Sequence, residues 1–288
     1  MADLAPRNRF GQALAAPKCA ASAARHDRLL SDRVTGALTL HLDVLSPVHV
    51  GTGEFEPHDG RLVRTAVTRA TLPVIPGTSL KGACRQVFES LTDSDSPFTK
   101  DNHKCATGRS RASALFGDLG HHGHAGFDDA EPVEPVTLSL IHLSVPYPPQ
   151  HATGRRFYGL LPAGAQQERR IPALAIPAGA RLRSSLRVRN VSPDELGGLL
   201  VSLGVGFFVL RVGGGRYDGY GCVRVSVVDF ALRTGAAFTR AAVESRPDTV
   251  AQSAATWIQA FRPTCRQDRL DELCRRLVEP SADRGQPC

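Results

Sequence analysis

The alternation of apolar and polar positions predicts a set of β-strands spread along the whole chain. Residues 36–45 (GALTLHLDVL) alternate weakly and predict a first strand. In residues 181–191 (RLRSSLRVRNV), arginines alternate with apolar or small residues, as in a half-exposed strand with one basic face. Three further strands are predicted around residues 62–67, over 135–147 and after the glycine-rich stretch that ends near residue 221.

Apolar residues at helical spacing predict helices in four regions. The pattern over 79–91 repeats at three- and four-residue steps, so one face is buried, and Ser79 or Thr78 can cap the start. Residues 194–210 predict a helix despite their glycines, and a short helix is predicted near 110–116. The tail over 240–280 is predicted to be mostly helical, with an apolar stripe of Leu270, Leu273, Cys274 and Leu277.

The order strand–helix–strand, excursion, strand–helix–strand predicts an α+β fold with a ferredoxin-like or RRM-like core, in which helices pack on an antiparallel sheet. Residues 46–61 are predicted to form a turn-rich loop. The predicted organisation is an irregular leader (1–35), the core (36–235) with a loop insertion (92–130) and an inserted hairpin-like excursion (143–170), and the helical tail (236–288).

Charge and composition narrow the class of partner. The formal net charge of +7 favours an anionic partner, and 31 of the 35 basic residues are arginine, so Lys81 is one of only four lysines. A compact ammonium suits a phosphate at a helix start. No stretch approaches a membrane span, no secretory leader is apparent, and the seven cysteines form no C-x-x-C pair. We therefore expect a cytoplasmic protein with reduced thiols and no membrane partner.

Residues 212–223 (VGGGRYDGYGCV) form the first candidate binding motif. Five glycines in nine residues let backbone N–H groups approach a phosphate chain, with charge supplied by Arg216. A plain tight connection explains the glycines about as well. The stretch matches neither the dinucleotide fingerprint nor the P-loop.

Asp59 and two histidines form the candidate catalytic group. A carboxylate near RNA repels phosphates unless a divalent ion bridges them, whereas an Asp59–Gly60 turn explains this residue without any chemistry. His49 and His58 flank the same segment and are candidates for general acid or base, although loop histidines are more often simply solvated.

A zinc site is conceivable in the His-rich segments. Its candidate ligands are Cys105 with His103, His121, His122 or His124, but their spacing fits no standard pattern, so we do not expect structural zinc. The candidates for stacking on RNA bases are Phe157, Tyr158, Tyr217 and Tyr220; for the first two, packing on the sheet is the alternative.

Three segments together resemble the RAMP superfamily of CRISPR effector proteins, especially the RNA-binding backbone subunits of type III complexes. They are LSPVHVGTG (45–53), PVIPGTSLKGACR (73–85) and GGGRYDGYGCVRV (213–225), and the resemblance spans roughly residues 37–230. ASALFGD (112–118) is similar to the LFG segment of the family. In many relatives a cysteine pair precedes that segment, whereas here only Cys105 does.

The resemblance implies a path for guide RNA and a set of partners. The excursion over 143–170 is placed like the thumb hairpin of the family. The implied partners are guide RNA, target RNA and other RAMP-type subunits, including copies of this chain. The residues implied to contact RNA are Gly51, Gly53, Arg64, Ser79, Lys81, Arg85, Arg155, Arg156, Gly213, Gly214, Gly215 and Arg216, with Arg169 and Arg170 at the end of the thumb.

The resemblance also implies a reaction. Asp59 precedes Arg64 by five residues, the spacing of the family's active aspartate. The implied activity is cleavage of target RNA by attack of a 2′-OH on its adjacent phosphate, with Mg²⁺ or Mn²⁺ as cofactor. Two alternatives stay open: a non-catalytic capping or scaffold subunit, and a guide-processing endoribonuclease that uses His49 or His58 without metal.

Overall fold

A computed structural model of the protein describes residues 9–10, 26–92, 94, 110–118, 120–144, 155–158, 170–235 and 247–278. The helices are α1 (Gly77–Thr92), α2 (Arg111–Phe116), α3 (Pro193–Ser202), α4 (Pro247–Phe261) and α5 (Gln267–Arg276). The strands are β1 (Arg9–Phe10), β2 (Val34–Val44), β3 (Gly51–His58), β4 (Arg61–Ala66), β5 (Thr68–Arg69), β6 (Leu72–Pro73), β7 (Ala125–Phe127), β8 (Glu131–Pro132), β9 (Ser139–Ser144), β10 (Arg155–Arg156), β11 (Arg170–Ala175), β12 (Arg181–Val191), β13 (Leu210–Arg211) and β14 (Cys222–Thr234).

The main sheet has the strand order of a ferredoxin-like fold. Its strands run β13-β14-β2-β12-β7, with β8 also paired to β12, and the pairings are antiparallel. The sequence of elements β2, α1, β7, β12, α3, β14 therefore forms two strand–helix–strand halves with β2 and β12 at the centre. The predicted α+β, ferredoxin-like fold class is confirmed.

The edge strand of the first half differs from the prediction. We expected residues 135–147 to fill this position and residues 92–130 to be loop, but β7 and β8 pair with β12 instead. The strand within 135–147 is β9, which belongs to a second sheet. Strands of three and two residues carry too little periodicity to be recognised from sequence.

The second sheet has the order β3-β4-β11-β9. The predicted loop over 46–61 is wrong for most of its length, since β3 pairs with β4 in an antiparallel hairpin. Every residue of β3 is exposed, so the strand has no buried face to produce an apolar alternation. Most of the excursion over 143–170 lies outside the described residues, and β9 and β11 pair at its base.

The helices cover one face of the main sheet, and the C-terminal helices are part of this layer. Leu270, Leu273 and Leu277 are buried in the same apolar core as α1 and α3. Two glycines of α3 allow the approach of α4: a Cβ on Gly197 would lie 1.9 Å from the Trp257 carbonyl oxygen, and one on Gly198 would meet Phe88 and Phe261. The opposite face of β12 presents exposed arginines, as its alternation predicts.

Candidate functional site

The two glycine motifs lie side by side, although 160 residues of sequence separate them. The Leu45 N–H donates to the Cys222 carbonyl at 2.9 Å, and the Gly221 N–H donates to the Pro47 carbonyl at 2.9 Å. The Gly214 N–H donates to the His49 carbonyl at 2.8 Å. We call this junction of residues 45–50 with 212–222 the glycine seam.

Two neighbouring glycines of the seam differ in how closely another part of the backbone approaches them. Gly213 has a φ of +83°, and a Cβ there would lie 2.3 Å from the His49 carbonyl oxygen. Gly214 has no such constraint: its nearest neighbour would be the His49 ring at 3.5 Å, and the residue is exposed. Gly213 is therefore required by the fold, whereas Gly214 is exposed and has room for a side chain, with its N–H donated to the His49 carbonyl.

His49 lies beneath the seam and is only 3% exposed. Its Nδ1–H donates to the Leu174 carbonyl at 2.7 Å, so the seam is joined to β11 of the second sheet. Burial lowers the pKa of His49, and Arg64 lowers it further, against the raising effect of the Leu174 hydrogen bond. The ring is therefore neutral at pH 7 and has a fixed tautomer.

Two arginines support the glycine loop from below. Arg216 donates to Gln86 Oε1 of α1 at 3.3 Å, and burial lowers the pKa of its guanidinium. Arg211, which sequence reasoning missed, is 6% exposed, contacts Cys222 Sγ and donates to the Gly219 carbonyl at 3.4 Å. Its Nε and Nη2 have no hydrogen-bond partner among the described residues. Both cations face a narrow pocket whose other walls are α1, Phe157 and Tyr158.

The start of α1 is capped by a residue from a distant segment. The helix begins at Gly77, whose N–H donates to Asp129 Oδ1 at 2.8 Å, and Arg69 donates to the other oxygen at 2.8 Å. The predicted cap by Ser79 or Thr78 is thus wrong, because both residues lie inside the first turn. The Gly77 hydrogen bond, more than Arg69, lowers the pKa of Asp129. A carboxylate therefore already occupies the first N–H of this helix.

Lys81 and Arg85 lie one turn apart on α1 but have different surroundings. Arg85 donates to Glu89 Oε1 at 2.7 Å and to the Gly117 carbonyl at 2.8 Å, so its guanidinium is engaged within the protein. Lys81 is half-buried, and burial together with the charge of Arg85 lowers the pKa of its ammonium. Ser79 is half-buried on the same turn.

Asp59 lies at the tip of the β3–β4 hairpin, far from this network. Asp59 and Gly60 have φ values of +47° and +73° and form the two-residue turn between His58 and Arg61, so the Asp-Gly turn of the sequence analysis is present. The carboxylate is 94% exposed, and His58 Nε2 lies 3.7 Å from its Oδ2. Arg64 stacks over Phe55, three rungs down the hairpin and roughly 10 Å along the strand.

The potential metal ligands at the tip can be compared with those that the predicted divalent cation needs. Among the described residues, Asp59 belongs to no group of three or more potential metal ligands. A single carboxylate is still compatible with Mg²⁺, which often binds one or two carboxylates together with substrate phosphates and water. Here most of the ligands would come from the RNA.

The seam also holds the base of the excursion. Asp218 accepts hydrogen bonds from the Ser144 N–H at 2.9 Å and its hydroxyl at 2.6 Å, and the Tyr217 hydroxyl donates to the Ser144 carbonyl. Ser144 pairs with Arg170, where β9 and β11 meet. The backbone of Arg155 and Arg156 pairs with β1, and Arg169 lies outside the described residues.

The aromatic candidates divide between two environments. Phe157 is buried in the core, in agreement with the packing alternative. Tyr158 and Tyr217 lie near each other, with ring centroids 6.1 Å apart, at the junction of the excursion and the seam. Tyr220 packs against the β9–β11 pair.

Comparison with known proteins gives a family match over most of this structure. The family model of the RAMP superfamily matches residues 41–224, which is more than half of the chain and spans both glycine motifs and α1. No curated protein matches the chain. Within the described ranges, no helix is long and apolar enough to cross a membrane.

Proposed function

Because the chain belongs to the RAMP superfamily, a family of CRISPR-associated RNA-binding proteins, we propose that it is a guide-RNA-binding backbone subunit of a type III-like effector complex in the cytoplasm. The observation that carries the proposal is the glycine seam. It brings the exposed Gly214 and the half-buried cation Arg216 to the side of α1.

The guide backbone follows the seam towards the first turn of α1 in this proposal. Gly214 is exposed and lacks a side chain, so a phosphate backbone can approach closely, although its N–H is already donated to the His49 carbonyl. Lys81 supplies a half-buried ammonium, for which the described residues show no ion pair with a carboxylate. Such contacts recognise phosphates and not bases, so binding is sensitive to salt and independent of sequence. Arg85 acts as a positioning residue, since Glu89 and Gly117 already accept its hydrogen bonds.

We further propose that Asp59 takes part in cleavage of the guide-paired target RNA. A bound Mg²⁺ or Mn²⁺ would neutralise charge on the scissile phosphate. Asp59 is the residue of this hairpin placed to hold such an ion or to orient the attacking 2′-OH, because its carboxylate projects freely from the tip. The products are a 2′,3′-cyclic phosphate and a 5′-OH.

Cleavage of labelled guide-matched RNA by the assembled complex tests this role. Asp59→Asn is the sharpest variant, because asparagine favours the same left-handed turn conformation and only the charge is lost. We expect guide binding to persist and cleavage to fall by at least about a hundredfold. Glu56→Ala, an exposed carboxylate on the same hairpin, is the matched control and should cleave normally. Unchanged cleavage by Asp59→Asn would refute the catalytic role.

A scaffold subunit is the second candidate, favoured by the turn geometry of Asp59. A wild-type complex that binds guide and target but cuts neither would establish it. The guide-processing alternative is weakened for His49, whose proton is held by the Leu174 carbonyl in a buried site. The guide-processing alternative rests instead on His58. Cleavage of precursor RNA in the presence of chelator would support it, provided that this cleavage is lost in His58→Ala.

A further inference from the structure

Three histidines from separate segments converge beside the end of β12. His26 precedes β2, while His121 and His124 lie between α2 and β7. Their nearest ring nitrogens all lie within 4.8 Å of one another. The rings of His26 and His124 stack with centroids 4.2 Å apart, and His121 lies 5.8 Å from His26 and 6.2 Å from His124.

Backbone hydrogen bonds fix all three positions. Arg189 joins two of them: its guanidinium donates to the His26 carbonyl at 3.0 Å, and its backbone N–H donates to the His124 carbonyl at 2.9 Å. His121 exchanges two backbone hydrogen bonds with Asp118, at 2.8 and 3.0 Å. The cluster is therefore held by the fold and not by the histidine side chains alone.

In two of the rings, one nitrogen is oriented by a backbone carbonyl group. His26 Nε2 lies 2.7 Å from the His122 carbonyl oxygen, and His124 Nδ1 lies 2.8 Å from the Arg189 carbonyl oxygen. Because a carbonyl only accepts, each of these nitrogens carries the proton, and the lone pair is on the other ring nitrogen. This arrangement is typical of metal-binding histidines. The Nε2 atoms of His121 and His124 are shielded from solvent.

We propose that His26, His121 and His124 bind one divalent metal ion of the zinc class, with water as a fourth ligand. Imidazole nitrogens favour Zn²⁺ over Mg²⁺, which prefers oxygen ligands. Zn–N bonds of about 2.0–2.1 Å place tetrahedral ligands roughly 3.4 Å apart, so the nitrogens close by up to about 1.4 Å on binding. The stacked rings of His26 and His124 also turn, so that both lone pairs point to the ion. The sequence pattern did not lead us to expect this site, because His26 is far from the other two ligands along the chain.

The bound ion fastens the segment before β2 to the connection between α2 and β7. That segment already contacts the end of β12 and the start of α3: the Leu30 N–H donates to Asn190 Oδ1 at 2.9 Å, and Arg33 donates to Glu195 at 2.7 Å. The site is structural, lies outside the glycine seam and does not depend on RNA binding. The role of the metal is to stabilise the chain entering the central strand of the main sheet.

Metal titration of the full-length chain, with any affinity tag removed and metal stripped by chelator, tests the proposal. We expect one equivalent of Zn²⁺ per chain in competition with a chromophoric chelator, and a tetrahedral absorption spectrum with Co²⁺. His26→Ala should weaken binding at least about tenfold. His124→Asn should do the same while its amide can still donate to the Arg189 carbonyl, which keeps the fold testable.

The control is His142→Ala, which removes an exposed histidine of β9 and should bind as wild type does. Zn²⁺ should raise the melting temperature of wild type and of His142→Ala, but not that of His26→Ala. Equal affinity in His26→Ala and wild type, or no saturable binding by wild type, would overturn the proposal. Circular dichroism identifies any variant that fails to fold. If His124→Asn fails to fold, the affinity of His26→Ala decides the test, because His26 is partly exposed and its replacement disturbs the core less.

Discussion

The glycine seam and the tip of the β3–β4 hairpin represent two ways of presenting a candidate site. In the seam, His49 and Gly213 are buried or closely packed, and each has a partner from a distant part of the chain. At the tip, Asp59 is 94% exposed, and its conformation depends on a two-residue turn. The first region is organised by contacts within the protein, whereas the second would need a bound ligand to complete a site.

In the function proposed above, this difference would separate binding from catalysis within one subunit. Substitutions in the seam should change stability as well as binding, because the same residues hold the sheets together. Substitutions at the tip should change chemistry alone, because little of the fold rests on them. The comparison is therefore open to direct test with paired variants.

The largest expected effect comes from two neighbouring glycines of the seam. Gly213→Ala should lower the free energy of unfolding by about 3 kcal/mol, because the new Cβ would overlap the His49 carbonyl at a positive φ. Gly214→Ala, which meets only ordinary contacts, should leave the melting temperature nearly unchanged yet weaken guide RNA binding. Thermal denaturation and filter binding measure the two effects. Equal stability of both variants would contradict the packing account of the seam.

A smaller effect on the free energy of unfolding is expected when Asp129, which caps α1, and Asp59, at the hairpin tip, are each replaced by asparagine. Asp129→Asn should cost about 1 kcal/mol at pH 7, since it removes the charge that Gly77 and Arg69 contact, while Asp59→Asn should cost nothing measurable. The pKa of Asp129 is lowered in the folded state, so its contribution is present above its ordinary pKa and is lost as the pH falls through the lowered value. Denaturant unfolding of both variants at pH 7 and at acid pH measures this. A difference between Asp129→Asn and wild type that does not shrink in acid would contradict the charge-based cap.

The smallest expected effect concerns the charge of Lys81. Because burial and Arg85 lower its pKa, the ammonium that would contact a phosphate is lost at a lower pH than for an exposed lysine. RNA affinity should therefore decline as the pH rises towards the ordinary lysine pKa. Lys81→Arg stays charged and should show a flatter dependence. Parallel pH profiles for the two proteins would remove Lys81 from the RNA path.

Local periodicity made part of the structure predictable. The strand over 181–191 has the bounds that its alternation predicts, and the predicted helix over 79–91 lies within α1, because one buried face determines each pattern. The predicted helix over 194–210 ends at Ser202, before Gly204 and Gly206, which adopt positive φ. The docking of the C-terminal helices on the core could not be decided from their amphipathic pattern, since such a pattern does not identify a partner.

The features that sequence reasoning missed share a different cause. Asp129 at the start of α1 and His26 beside His124 each depend on a contact between segments far apart in sequence. A single sequence holds no signal for such pairings. The glycine motifs and Lys81 were singled out because residue type alone indicated their chemistry, and their role in RNA binding stays a prediction.

The central position of β2 has a consequence for how the protein forms during synthesis. Both neighbours of β2 in the sheet, β12 and β14, come from the second half of the chain. At translation rates of about 5–20 residues per second, β2 is synthesised on the order of ten seconds or more before β12, the first strand that pairs with it. Its apolar face, with Leu38, Leu40 and Leu42, is unprotected during this time. A nascent chain of this protein should therefore be a substrate for ribosome-associated chaperones until the strand at residues 181–191 has left the exit tunnel.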